Sequence, residues 1–119
     1  MSKEDYLPKA VEWAEGKSAE NLKVNMDGYE KPYSFVNQST SEEVTPDITF
    51  TSKYGTKNYT DIALKSPNSR KLVTRWKLLS TMAEIKNGKF FLMAPKGHKM
   101  FTQRLVDKYN INAKVLSLK

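Results

Sequence analysis

The sequence predicts an α/β protein in which a mixed central sheet is flanked by helices, in the order α-β-β-β-α-β-α-β. Apolar and polar residues alternate in "DITFTS" and in the later segment "NYTDIALK", as they do in half-buried strands. Apolar residues then recur at helical spacing after Asn68, and an almost wholly apolar run, "KFFLMAP", follows. A strand, a helix and a buried strand in succession indicate a right-handed β-α-β unit.

The composition is that of a single domain over residues 1–119. The chain is 39% hydrophobic, which is enough apolar material for one core. It has no cysteine and one histidine, His98, which excludes disulfides, thiolate zinc sites and a cysteine nucleophile. The longest apolar stretch, 90–95, is too short to cross a membrane, and the N-terminal residues lack the layout of a signal peptide. We therefore expect a soluble, cytoplasmic protein with no membrane partner.

The first element predicted is a helix within "YLPKAVEWAEG". Leu7, Val11 and Ala14 form one apolar stripe of that helix. Gly16 provides a stop after it. Residues 18–31 give conflicting signals, because "NLKVNM" fits either a strand or a continued helix, and their structure stays open at this level.

Three strands are expected next. "YSFVNQ" is the first, and a polar turn, "QSTSEE", follows it. "DITFTS" is the second, with Ile48 and Phe50 on one face and Asp47 on the other. The glycine-containing connection "KYGTK" leads to the third, "NYTDIALK". The second and third strands are expected to be adjacent and antiparallel.

The second half of the chain supplies two helices and two strands. The first helix is capped by Ser66 or Asn68 and ends at Asn87-Gly88. Its apolar stripe consists of Leu72, Val73, Trp76, Leu79, Ser80 and Ala83. "KFFLMAP" fits a strand that is buried on both faces. "GHKMFTQRLVDKYNI" then predicts a helix, and "AKVLSL" predicts the last strand.

Charge is distributed unevenly along the chain. Residues 1–60 hold 7 Lys and Arg against 10 Asp and Glu, a balance of −3, whereas residues 61–119 hold 13 against 3, a balance of +10. A basic surface on the C-terminal half would suit a polyanion such as DNA. The alternative is a lysine-rich solvated face that only keeps the protein soluble.

Two short motifs stand at defined points of this order. Pro46-Asp47 opens the second predicted strand, and Lys65 ends the third. In these residues, and in the order of elements over almost the whole chain, the sequence resembles the PD-(D/E)XK nuclease superfamily. The resemblance implies a restriction-endonuclease-like fold and hydrolysis of phosphodiester bonds of DNA with Mg²⁺ or Mn²⁺. It further implies that Asp47 binds the metal, that Lys65 assists the attacking water and that a glutamate of the first helix takes part.

The sequence departs from the family pattern beside Lys65. The family has an acidic residue two positions before its lysine, where this chain has Ala63. Asp61 faces the same way along an ideal strand but lies roughly 13 Å from Lys65. Either Asp61 replaces the missing acid, or a carboxylate from elsewhere does, or the metal site is lost. The candidates for the second alternative are Glu12, Glu15 and Glu84.

These considerations define a candidate site. The predicted catalytic residues are Asp47, Asp61 and Lys65, and the predicted metal ligands are Asp47, Asp61 and Glu12. Carboxylate oxygens on neighbouring strands are suitable ligands for Mg²⁺, which can activate water and hold a phosphate. The alternatives are a turn role for Asp47 after Pro46 and an ordinary ion pair between Asp61 and Lys65.

Basic residues flank the candidate site in the sequence. The fourth predicted strand leads into a turn with Lys96, His98 and Lys99, at a point where open α/β sheets bind ligands. The preceding helix carries further cations, whose charges and free N–H groups suit backbone phosphates. Those cations are Arg70, Lys71, Arg75 and Lys77. His98 has a helix cap as its alternative role.

Three hypotheses on function follow. The first is a Mg²⁺-dependent nuclease that acts on DNA and, as in many members of the family it resembles, forms a homodimer. The second is a catalytically inactive nuclease-fold module that binds nucleic acid or a protein partner, since Ala63 stands where the family has an acid. The third is an α/β protein with no nucleic-acid role.

Overall fold

A computed structural model describes residues 2–17, 20–52 and 55–118. The helices are α1 (Leu7–Glu15), α2 (Ser69–Ile85) and α3 (Lys99–Lys108), and a 3-10 turn, Lys3–Asp5, precedes α1. The strands are β1 (Glu20–Val24), β2 (Phe35–Val36), β3 (Glu43–Val44), β4 (Ile48–Thr51), β5 (Lys57–Ile62), β6 (Phe90–Pro95) and β7 (Lys114–Leu118). The α/β class predicted from the sequence is confirmed.

The central sheet is mixed and has five strands in the order β1-β4-β5-β6-β7. Strands β1, β4 and β5 are antiparallel neighbours, whereas β5, β6 and β7 run parallel. Helices α2 and α3 form the crossovers between the parallel strands. Since such crossovers have one hand, both helices lie on the same face of the sheet, and their N-termini lie at the carboxyl ends of the strands that precede them.

Each face of the sheet has its own hydrophobic core. On one face, Trp76 of α2 and Leu105 of α3 pack with Tyr59 and Leu92. On the other face, α1 packs with Ile48, Phe91 and Met93 among others. Strand β6 is buried along its whole length because both of its faces are covered, as its continuous apolar run predicted.

The first strand of the central sheet comes from the region that the sequence left open. Glu20–Val24 pairs with β4, and Leu22 and Val24 pack in the core beside α1. The segment "YSFVNQ", predicted as the first of three sheet strands, contributes only β2, which pairs with β3 in a separate two-stranded sheet. The short strand itself is confirmed, but its place in the central sheet was wrong, because Phe35 packs edge-on against the Tyr59 ring, over the face of that sheet.

Asn68 caps α2 as the sequence predicted, since its side-chain oxygen accepts a hydrogen bond from the Lys71 backbone N–H at 3.2 Å. The connection from β6 to α3 turns at Gly97, whose φ of 88° lies in the left-handed region that favours glycine. Across the described residues, no helix has both the length and the apolar character needed for a membrane span.

Candidate functional site

Two buried aspartates from neighbouring strands meet at one end of the central sheet. Asp47 immediately precedes β4, and Asp61 lies near the end of β5. The antiparallel register pairs Ile48 with Thr60, so the next position places Asp47 opposite Asp61. Their side chains are 6% and 0% exposed. The carboxyl ends of the parallel strands β5, β6 and β7 lie at this same end.

Side chains of α2 bind both carboxylate oxygens of Asp61. Arg75 donates from Nε to Oδ2 at 2.7 Å and from Nη2 to Oδ1 at 2.8 Å, which makes a bidentate pair. Trp76 Nε1 donates a further hydrogen bond to Oδ2 at 3.3 Å. The Trp76 ring is fully buried in the core. Asp61 is therefore held from the protein interior by Trp76 and from the partly exposed side by Arg75.

Asp47 is held by the backbone of β5 and by the N-terminal turn. The Ile62 backbone N–H donates to Asp47 Oδ2 at 2.8 Å. Lys3 Nζ lies 3.0 Å from that oxygen and 3.6 Å from Asp61 Oδ1, so one ammonium group bridges the two carboxylates. We name Lys3, Asp47, Asp61 and Arg75 the carboxylate cluster, in which two cationic side chains meet two carboxyl groups.

Arg75 also fixes the segment that leads into β4. Its Nη2 donates to the Thr45 carbonyl oxygen at 2.6 Å and lies 3.8 Å from Asp47 Oδ1. Thr45 is two residues before Asp47, so the guanidinium group joins α2 to the chain on both sides of Pro46. Charge-assisted hydrogen bonds of this kind are stronger than those between neutral groups.

Burial and neighbouring charges shift the pKa values of the two aspartates in opposite directions. Burial raises the pKa of Asp47 to about 7, and the Asp61 carboxylate adds to the rise while Lys3 opposes it. Burial acts to raise the pKa of Asp61 as well, but Lys3 and Arg75 outweigh it and hold that pKa well below its usual range. Asp61 is therefore firmly ionised, and Asp47 exchanges its proton near neutral pH.

The carboxylate cluster does not fit a magnesium site in this arrangement. Mg²⁺ requires near-octahedral oxygen ligands at about 2.0–2.1 Å and keeps several waters. The Asp61 oxygens accept three N–H groups, and Asp47 Oδ2 already has Ile62 and Lys3 as partners. Within residues 2–17, 20–52 and 55–118, no three Asp, Glu, His or Cys side chains are grouped so as to hold a metal ion.

The predicted ligand set Asp47, Asp61 and Glu12 is therefore not assembled. Glu12 is exposed on α1 and borders a shallow depression that Trp13 and Ser117 also line. Glu84, another candidate, accepts a hydrogen bond from Asn112 Nδ2 at 2.7 Å at the far end of α2. Glu15 is exposed in the last turn of α1.

Lys65 does not share a hydrogen bond or an ion pair with either aspartate. Strand β5 ends at Ile62, so the alternation that would point Lys65 the same way as Asp61 does not continue. The Lys65 backbone N–H instead donates to His98 Nδ1 at 2.9 Å. Its exposed side chain lines a cavity beside α3.

Basic side chains without a carboxylate partner gather around the same end of the sheet. They follow β5 and β6 and occupy the first turns of α2 and α3, with one further residue on α3. All are exposed, and none forms an ion pair within the part of the chain that the structure describes. We name this set the basic edge. Its members are Lys65, Arg70, Lys71, Lys96, Lys99 and Arg104.

Three of the predicted nucleic-acid contacts lie elsewhere or have other partners. Arg75 is occupied by Asp61, as described above. Lys77 Nζ lies 5.8 Å from the centroid of the Tyr109 ring, on the outer side of α2. His98 is half-buried and is the N-cap residue of α3, the alternative position considered for it, but its side chain makes no capping hydrogen bond and accepts one from the Lys65 backbone N–H instead.

A cavity of about 560 Å³ opens beside the start of α3. It combines cationic and apolar side chains in one place, and the hydrogen bond from the Lys65 backbone N–H to His98 Nδ1 links the segment after β5 to the turn before α3. The residues that line it are Lys65, Gly97, Lys99, Met100, Phe101 and Arg104.

The sequence did not predict the site roles of Lys3 and Arg104, and it predicted only the packing role of Trp76. Lys3 carries no local signal, because its contacts with Asp47 and Asp61 span the whole N-terminal half of the chain. Arg104 follows Met100 by four residues, which is one helical turn, and that spacing could have placed both on one face of α3. Trp76 packs in the core as expected and also donates to Asp61.

Comparison with models of protein families, with curated proteins and with solved structures gives no match.

Proposed function

We propose that this protein binds nucleic acid, DNA in the first place, through the basic edge and does not cleave it. The observation that carries the proposal is a contrast at one end of the sheet: both buried carboxylates have cationic partners, while the six exposed cations of the basic edge have no ion-pair partner among the residues that the structure describes.

The basic edge suits a phosphate backbone for two reasons. Unpaired Lys and Arg side chains bind phosphates and release condensed counterions, which supplies most of the affinity for nucleic acid irrespective of sequence. The N-termini of α2 and α3 point toward the same end of the sheet, and their free N–H groups add to the positive potential there. The carboxylate cluster adds no net negative charge there, because its two cations at least match the charge of its two carboxyl groups.

The absence of cleavage is argued from the carboxylate cluster. A metal-dependent nuclease needs carboxylate oxygens that are available to a divalent cation. Here Lys3 and Arg75 already supply the positive charge that a metal would bring. The order of the sheet elements and the positions of Asp47 and Asp61 support a fold related to the PD-(D/E)XK superfamily, and on this proposal the chain uses that fold for binding.

The test is binding of labelled duplex DNA in EDTA over a range of salt concentrations. The double variant Lys65→Gln/Lys99→Gln removes two cations of the basic edge. We expect weaker binding and a salt dependence whose slope falls by about 0.9 for each phosphate that the variant no longer neutralises. The matched control is Lys86→Gln/Lys108→Gln, which removes the same charge from the C-terminal ends of α2 and α3.

The control variant should bind like the unaltered protein. Equal losses in both double variants would show that only net charge matters and would overturn the assignment to the basic edge. If the unaltered protein bound neither duplex nor single-stranded DNA at low salt, the proposed function itself would be overturned.

A second candidate, Mg²⁺- or Mn²⁺-dependent cleavage of DNA, is favoured by one observation. Asp47, where the resemblance implies a metal ligand, lies side by side with Asp61, one of the candidates for the acid that is missing at Ala63. Plasmid incubated with and without metal tests this candidate. Metal-dependent cutting that Asp47→Ala abolishes would establish a nuclease, and cutting that survives both Asp47→Ala and Lys65→Ala would rule out this site as its source.

A further inference from the structure

The cavity beside α3 has a chemistry that backbone binding alone does not use. Three of its lining side chains, Lys65, Lys99 and Arg104, are cationic. Two others, Met100 and Phe101, are large and apolar. A surface that only follows phosphates needs the first group and gains nothing from the second.

Met100 is the most exposed large apolar side chain of the described residues, at 79%. Phe101 next to it is half-buried and packs partly against the core beside α2 and α3. An apolar side chain in water at the mouth of a cationic cavity is typical of a ligand site, where apolar surfaces and a few charges together fix a bound molecule.

The volume and the charges select the kind of ligand. A cavity of about 560 Å³ lies within the range of small-molecule sites and can take one base with its sugar and phosphate. The base would lie against Phe101 and Met100, because every base has an apolar face that stacks on aromatic side chains. The adjoining phosphates would lie against Lys65, Lys99 and Arg104.

We propose that this cavity binds one unstacked nucleotide of a single-stranded nucleic acid, and that the protein therefore prefers single strands to duplexes. This inference rests on the proposed function, because it specifies which nucleic acid the basic edge binds. In a duplex the bases are paired and stacked, so a base could enter the cavity only after it had been flipped out at an energetic cost.

The experiment compares three labelled probes of equal length, about 12 nucleotides, which is within the site sizes of single-strand binders. They are a thymine single strand, an abasic single strand with the same number of phosphates, and a duplex. We expect the thymine strand to bind best. Phe101→Leu keeps an apolar side chain in the core but removes the ring, and should weaken binding of the thymine strand about fivefold or more while leaving the abasic strand unchanged.

Two further variants make the result specific. Phe101→Tyr keeps the ring and should restore the preference for the thymine strand. Met100→Gln lies in the solvent-exposed part of the cavity, so it keeps the fold and still removes apolar contact if Phe101→Leu is unstable. Arg104→Gln should weaken both single strands equally through a phosphate contact, whereas Lys108→Gln on the same helix should weaken neither.

The outcomes separate the two proposals. Equal affinity for the thymine and abasic strands, or no effect of Phe101→Leu and Met100→Gln on either, would overturn the nucleotide site while leaving nucleic-acid binding by the basic edge intact. Failure of all three probes to bind at low salt would overturn the proposed function together with this inference.

Discussion

At the scale of single residues, the proton on Asp47 links folding to pH. The pKa of Asp47 is about 7 in the folded protein against an ordinary value of 3.8. Between these values the folded state binds a proton that the unfolded state has lost. The free energy of unfolding therefore falls as pH rises through this window, by at most about 1.4 kcal/mol per pH unit for one proton. Asp61 acts in the opposite sense, because its pKa is lowered, so its contribution is lost only as pH falls below its ordinary value.

We expect urea unfolding, followed by tryptophan fluorescence, to show this decline in stability between about pH 4.5 and 7, with a plateau above it. Asp47→Asn should remove the slope, because asparagine keeps an acceptor for the Ile62 N–H and has no proton to lose. Asp27→Asn, which alters an exposed carboxylate paired with Lys31, should keep it. A slope that persists in Asp47→Asn would assign the titration to another group.

Arg75 is the residue whose loss should be most damaging. Arg75→Ala would leave Asp61 buried and ionised with Lys3 as its remaining cationic partner. Removing one partner of a buried ion pair lowers the free energy of unfolding by about 3–5 kcal/mol. Arg70→Ala, on the exposed first turn of the same helix, should cost little. Chemical denaturation of both variants at pH 7 measures the difference. Similar stabilities for the two would mean that Lys3 alone compensates Asp61.

The candidate site could be predicted only in part from the sequence. The sequence predicted that Asp47 and Asp61 lie on adjacent antiparallel strands, because the strand pattern of both segments and the short connection between them are local signals. The convergence of Lys3 and Arg75 on those aspartates was not, since contacts between charged side chains far apart in sequence leave no local pattern. Arg75 at helical spacing beside Trp76 suggested an exposed phosphate contact, and only the packing of α2 turned it inward.

At the scale of elements, the segment before β6 approaches β5 so closely at Gly88 that no side chain fits there. A Cβ atom at Gly88 would lie 1.6 Å from the Lys57 carbonyl oxygen, which is backbone and cannot rotate away. The Tyr59 backbone N–H donates to the Lys89 carbonyl oxygen at 3.0 Å, so the chains are also hydrogen-bonded beside this point. Gly88→Ala must therefore separate the start of β6 from β5.

We expect Gly88→Ala to lower the free energy of unfolding by about 3 kcal/mol or more, at the upper end of overpacking costs. The comparison is Gly28→Ala, where φ is +90° but nothing lies within 4 Å of the added Cβ. That variant should lose only the cost of a left-handed conformation, about 1–2 kcal/mol. Thermal unfolding followed by circular dichroism ranks the two, and a smaller loss in Gly88→Ala would contradict the close approach.

Elements with strong local signals were predictable, and those fixed by distant contacts were not. The helical spacing of the apolar residues predicts α2, and the short, continuous apolar run predicts the buried strand β6, without reference to any distant contact. Residues 20–24 form a strand because Leu22 and Val24 pack against α1 in the core. Their sequence alone does not favour a strand over a helix. The segment around Phe35 had the strand pattern, but it covers the face of the sheet instead of joining it.

At the scale of the whole molecule, the basic edge, the cavity and the carboxylate cluster lie at one end of the sheet. Its crossovers bring the first turns of α2 and α3, the cavity and both aspartates to the carboxyl ends of β5 and β6. Six of the thirteen Lys and Arg of residues 61–119 lie there, with no ion-pair partner among the described residues. The same topology leaves the opposite end with the C-terminal ends of α2 and α3, which provides the matched control positions used above.

A ligand that binds only the folded protein must raise its Tm by mass action. At a free concentration of about one hundred times Kd the gain is about 2.7 kcal/mol, which corresponds to several degrees for a domain of this size. We expect single-stranded DNA to raise Tm at low salt, and the rise to shrink as salt increases, because the binding depends on released counterions. Mg²⁺ without DNA should leave Tm unchanged, since Lys3 and Arg75 hold the carboxylate oxygens. A rise in Tm with Mg²⁺ that Asp47→Asn removes would show instead that a metal displaces Lys3, and would favour the nuclease.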